Sequence, residues 1–163
     1  MEELRDARGL TEAEAIARYR SRNYPKPALT ADIVVFSRDN EKWKVLLIRR
    51  KGHPFLGKLA LPGGFANENE PIEQTAAREL EEETGVSGLE MRLVDLFSAP
   101  GRDPRGWVVS AAFIAVVDQK LTVHAGDDAA EAFWLELDQI DPAELAFDHA
   151  EILKKATAML PLL

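Results

Sequence analysis

Four glutamates crowd the end of one short segment, GFANENEPIEQTAARELEEETGV, which runs from Gly64 to Val86. Pro71 suits the first position of a helix and Gly85 a left-handed residue just past its end. Successive helical residues lie about 100° apart, so Glu79, Glu82 and Glu83 share a wedge of roughly 100° while Glu81 points away. Glu82 and Glu83 fall in the last turn, where the negative end of the helix dipole costs about 0.3–1 kcal/mol per carboxylate. Like charges three and four residues apart add a few tenths of a kcal/mol per pair. A helix that gathers acids where they are least welcome calls for a positive partner. Oxygen donors of this hardness match Mg2+ or Mn2+.

Within the same segment, Arg78 stands four residues before Glu82 on nearly the same azimuth, so it can pair with a carboxylate and fix its rotamer. Glu70, beside Pro71, is expected to cap the helix start, where negative charge is favoured. The segment resembles the Nudix box, GX5EX7REUXEEXGU, with U a bulky aliphatic residue. Gly64, Glu70, Arg78, Glu79, Leu80, Glu82, Glu83, Gly85 and Val86 fill its nine specified positions without a departure. A solvated amphipathic helix would account for one polar face but not for this spacing. The family's usual flanks extend the likeness over roughly Leu29 to Leu137.

The resemblance implies an enzyme that cleaves a nucleoside diphosphate linked to another group, by attack of water on phosphorus. It implies metal ligation by Glu79, Glu82 and Glu83, joined by the backbone carbonyl of Gly63, with Mg2+ or Mn2+ as cofactor. The general base is a box glutamate or an acid of the later segment HAGDDAAEAFW, where Glu131 is the first choice and Asp128, beside Asp127, the second. His124 and His149 are not expected to be catalytic. The flanking phrases YPKPALTADIVVF, PGRDPRGWVV and AFDHAEIL resemble the branch containing ADP-ribose pyrophosphatases and related regulators. That branch implies hydrolysis of ADP-ribose to AMP and ribose 5-phosphate. Other Nudix substrates, an oxidised nucleoside triphosphate or a dinucleoside polyphosphate, are alternatives, as is an ADP-ribose-sensing regulator. The intact ligand set and the short stretch after the last helix weigh against the regulator.

Outside the box, Arg102 and Arg105 in SAPGRDPRGWVVS could close over a diphosphate as planar donors, or belong to a solvated turn. Arg49 and Arg50 end a strand just before the PGG turn and are further candidate phosphate contacts. Phe55, Phe65 and Trp107 could stack on a base or simply pack.

These groups need a scaffold, and 163 residues with 46% hydrophobic content suffice for one core. The expectation is a single domain over residues 1–163, with a helical extension at 1–24 and a terminal helix at 141–160. Thr11 and Glu14 form a capping-box pattern ahead of a short helix ending near Arg22. Strands are expected at Leu29–Phe36, Lys44–Arg49, Glu90–Phe97, Trp107–Val117 and Ala132–Leu137, the first two joined by a reversal at Asp39-Asn40. With the family likeness, this pattern implies an α/β/α sandwich around a mixed β-sheet. A net charge of −8 disfavours nucleic acid and anionic membrane as partners, and the absence of cysteine excludes disulfides and thiolate chemistry. The charged N-terminus and lack of a long apolar run point to a cytoplasmic protein. The amphipathic first helix, with the family likeness, points to a homodimer.

Overall fold

A computed structural model describes residues 3–118, 121–126 and 129–163. Asp127 and Asp128, named above as acids of the late loop, lie outside the described residues. Strands β1 (Ala28–Asp39), β2 (Lys42–Arg50), β3 (Leu59–Ala60), β4 (Gly63–Phe65), β5 (Arg92–Phe97), β6 (Val108–Val117) and β7 (Ala129–Glu136) form one sheet. Helices α1 (Glu12–Ser21), α2 (Ile72–Thr84) and α3 (His149–Met159) complete the chain. The sheet is mixed, because β1 runs parallel to β6 and the other pairings are antiparallel.

The alternation of a strand sorts side chains to two faces. From β1, Ile33 and Val35 pack with Leu46, Phe113, Ala76 and Leu80 beneath α2. Val34 and Phe36 pack with Leu47, Ile114, Ile152 and Leu153 beneath α3. The result is the expected layering of helix, mixed sheet and helix. Full burial of each Leu, Ile or Phe contributes about 1.5–3 kcal/mol, so α2 and α3 are held chiefly by these two apolar faces. Among the described residues, no helix is long and apolar enough to cross a membrane.

Local chemistry explains most boundaries. Asn40 and Glu41 both have positive φ, 49° and 68°, and link Asp39 to Lys42 in a two-residue hairpin whose twist suits the flanking strands. The capping box of α1 forms as expected, Thr11 accepting from the Glu14 amide and Glu14 from the Thr11 amide. Yet α1 buries none of its residues. The terminal helix begins later than expected: Pro142–Glu144 is a short 3-10 turn, Phe147 adopts φ 52°, and regular α-helix starts only at His149. The left-handed Phe147 interrupts the helix and sends its ring toward the pocket described next.

Candidate active site

A pocket of about 520 Å3 opens where the β1–β4 pair meets the last turns of α2, and residues far apart in sequence line it. One wall is acidic. Glu79 and Glu83 line it together with Gly63 and Gly64. Glu83 is 7% exposed, and its Oε2 accepts the Gly63 amide at 3.0 Å. A Cβ on Gly64 would run into the Glu79 carboxylate, so this glycine serves close approach of backbone to side chain. Glu82 does not line the pocket, and its side chain is 57% exposed.

Arg78 ties these acids together. It donates to both Glu70 oxygens at 2.8 and 2.9 Å, to Glu79 at 2.7 Å, to Glu82 at 3.1 Å and to the Phe65 carbonyl at 2.9 Å. The reading of Arg78 as a rotamer-fixing partner matches this geometry. Glu70 differs from its expected role: α2 has no side-chain cap, and Glu70 instead grips Arg78, the Thr75 hydroxyl and the Asn67 amide. The Arg78 and Thr75 hydrogen bonds hold the Glu70 carboxyl down to about 2, and Glu70 in turn raises Arg78. The box residue that looked like a helix cap is therefore the anchor of the arginine.

A second part of the lining is basic and aromatic. The Arg105 guanidinium lies over Phe65 at 4.7 Å and over Phe147 at 5.3 Å, and it grips Asp103 with Nε and Nη2. Arg50 lies over the other end of this stack, 4.9 Å from the Phe147 ring, with its Nε donating to the Pro54 carbonyl. Among the described residues Arg50 has no carboxylate within ion-pair distance, and burial and the nearby Arg105 charge both lower its pKa. Two guanidiniums held on one ring repel each other, which an anion between them would relieve.

The arginines expected from sequence divide. Arg105 reaches the pocket. Arg102 also lines it, but its side chain is buried and locked to Asp148 through two hydrogen bonds of 2.6 and 2.8 Å, so its donors on that side are committed to the fold. Arg49 does not line the pocket; a register shift between Arg49 and Arg50 separates the neighbours, and Arg49 turns to the Gly57 carbonyl and to Glu131. Glu131 sits on β7 directly opposite Arg49, largely exposed and outside the pocket lining. Of the aromatic candidates, Phe65 lines the pocket, Phe55 packs on Phe147 at 4.8 Å, and Trp107 is exposed at the start of β6.

Sequence reasoning missed Asp32 and Phe147, both of which line the pocket, and set His149 aside. Asp32 had one visible signal, a carboxylate in the middle of the apolar run ADIVVF.

Hard carboxylate and carbonyl oxygens beside a basic wall suit a divalent cation better than a soft metal. Among the described residues, no three His, Asp or Glu side chains converge on one point as they stand. Glu79 is drawn onto Arg78, with its carboxylate against Gly64.

Residues 26–156 match the NUDIX domain. The chain is 44% identical over 134 residues to the ADP-ribose pyrophosphatase of Methanocaldococcus jannaschii, covering 82% of this chain and 75% of that protein. It is 33% identical over 152 residues to the ADPR responsive transcriptional repressor NtrR of Acinetobacter baylyi, covering 92% of this chain but only 61% of the repressor. The NUDIX domain of Shewanella oneidensis NrtR, solved in complex with ADP ribose, superposes with a TM-score of 0.83 at 34% identity, covering 93% of this chain and 99% of that domain.

Proposed function

Because the chain belongs to the Nudix family, we propose that it is a divalent-metal-dependent pyrophosphohydrolase converting ADP-ribose to AMP and ribose 5-phosphate. The observation that carries this reading is that one pocket is lined by the carboxylates of Glu79 and Glu83 together with the guanidiniums of Arg50 and Arg105. A diphosphate is the ligand class that needs both. Its oxygens take hydrogen bonds from guanidiniums and share hard cations with carboxylates. The relatives that act on or bind ADP-ribose support the choice among diphosphates.

In this reading Glu79, Glu82, Glu83 and the Gly63 carbonyl hold Mg2+ or Mn2+. The bound cation supplies charge neutralisation on the phosphoryl oxygens. Arg50 and Arg105 orient the diphosphate, with Phe147 under both guanidiniums and Phe65 under that of Arg105. Arg78 holds Glu79 and Glu82 in place. Water attacks one phosphorus, the bridging P–O bond breaks, and the proton released by water passes to a pocket carboxylate, Glu79 or Glu83. Glu131 stands outside the lining and pairs with Arg49, so this reading gives the proton to a carboxylate of the lining.

In the same reading the protein is cytoplasmic and forms a homodimer: a ten-residue helix with no buried side chain is marginal by itself, and a second chain would give α1 a surface to pack on. Sedimentation velocity distinguishes monomer from dimer.

Incubation with Mg2+ and a panel of ADP-ribose, dinucleotides, sugar nucleotides and oxidised triphosphates tests the substrate. AMP and ribose 5-phosphate from ADP-ribose are expected, and 18O-labelled water marks the phosphorus attacked. Tight ADP-ribose binding in calorimetry without turnover would replace hydrolysis by sensing, the role for which the repressor likeness speaks.

A further inference from the structure

At the pocket floor lies a buried polar cluster from three elements: Asp32 of β1, Ser110 of β6 and His149, the first residue of α3, all less than 8% exposed. A buried carboxylate is costly unless its oxygens are satisfied. Here Asp32 Oδ2 accepts the Ser110 hydroxyl at 2.5 Å, and Oδ1 lies 3.4 Å from His149 Nε2. His149 Nδ1 accepts the Leu61 amide at 3.0 Å. With Nδ1 accepting the amide, Nε2 is the ring nitrogen that carries a proton, and it faces Asp32.

A histidine and a carboxylate side by side in a phosphate-sized pocket would suggest a general base. Counting lone pairs excludes it. Both ring nitrogens are committed to the protein, and neither is left to take a proton from water.

What the couple does hold is backbone. The Leu61 amide is held by His149, the Pro62 carbonyl accepts from Ile33 at 2.8 Å, and the Gly63 amide donates to Glu83 at 3.0 Å. Gly63 lies so close to β1 that a Cβ there would collide with the Ala31 carbonyl and sit 2.6 Å from Asp32 Oδ1. Three successive residues are thus clamped from α3, β1 and α2. We propose that His149 and Asp32 are positioning residues: through the Leu61 amide, the terminal helix sets where the Leu61–Gly63 backbone rests against Glu83, and so tunes divalent-cation affinity. The inference rests on the metal reading above.

Electron paramagnetic resonance of Mn2+ titrated into the purified full chain, without substrate, tests it. Outer residues that orient metal ligands typically contribute 10–100-fold in affinity, so His149→Ala is expected to weaken Mn2+ binding about tenfold. In His149→Asn the amide oxygen replaces the Nδ1 acceptor, and affinity is expected to return to within about threefold of the unsubstituted chain. In His149→Gln the amide lies one bond further out, at the Nε2 position facing Asp32, so its oxygen no longer meets the Leu61 amide and the variant is expected to resemble the alanine one. Thermal unfolding of each variant shows which are folded, and if the alanine variant is not, the Asn and Gln variants decide. Unchanged Mn2+ binding in His149→Ala, or equal losses in the Asn and Gln variants, overturns the proposal. An unsubstituted chain that binds no Mn2+ removes the metal reading itself, which separates the two failures.

Discussion

The two walls of the pocket are built by opposite routes. The acidic wall comes from one helix and the strand just before it, so that Gly63 to Glu83 spans only twenty-one residues. The basic wall draws Arg50 from β2, Arg105 from the β5–β6 loop and Phe147 from the break before α3, across about a hundred residues. A local wall is governed by helical pitch and tolerates change elsewhere, whereas an assembled wall depends on every element that carries a part of it.

The largest expected effect comes from the local wall. Glu83→Gln preserves an acceptor for the Gly63 amide but removes the charge, and turnover of ADP-ribose should fall about 10²–10³-fold, on the scale of losing one transition-state-stabilising group. Near-normal turnover in steady-state kinetics would take Glu83 out of the chemistry. Next, Gly63→Ala forces backbone apart at the β1–β4 junction, where neither the Ala31 carbonyl nor Asp32 can retreat cheaply. A loss of about 1–3 kcal/mol is expected from urea unfolding, the cost of overpacking a tight site.

The assembled wall should respond more softly. Arg50→Ala and Arg105→Ala each remove one charged donor, worth about 1.5 kcal/mol or roughly tenfold in binding. The expected result is a higher KM for ADP-ribose, with Arg105→Ala affecting ADP-ribose more than a nucleoside triphosphate. Equal effects on both substrates would reduce Arg105 to a generic phosphate contact.

The smallest effect is a pH signature. The folded Glu70 carboxyl sits at about 2 against an ordinary value of 4.5. A depressed carboxylate contributes stability that is complete above its unfolded pKa and disappears as pH falls through the folded one. The stability gap between the unsubstituted chain and Glu70→Gln should therefore be full above about pH 5 and close progressively toward about pH 2. A gap independent of pH in thermal melts would mean that Glu70 acts by shape rather than charge.

The same contrast explains what could be read in advance. Glu79, Glu82, Glu83 and Arg78 obey a helical spacing, so their sharing of one face followed from residue numbers alone. Glu70 was assigned from its neighbour Pro71, and its true partner lay eight residues on. The sheet order was not legible, because the parallel pairing of β1 with β6 joins strands almost seventy residues apart. That pairing is what lets Ser110 meet Asp32. Arg49 and Arg50 could not be told apart because the shift between them is a property of the β2–β7 ladder. The break at Phe147 was hidden within a segment that reads as continuous helix.

Helix α2 ends against the segment His124–Gly126. The His124 amide donates to the Thr84 carbonyl and the Gly126 amide to the Glu83 carbonyl, and a Cβ on Gly126 would strike the Glu82 carbonyl. Helix termini normally fray, because their last carbonyls have no partner in the helix. With these two occupied, solvent deuterium should enter the His124 and Gly126 amides far more slowly than is usual for loop residues, and the carboxylates of the final turn keep a fixed foothold.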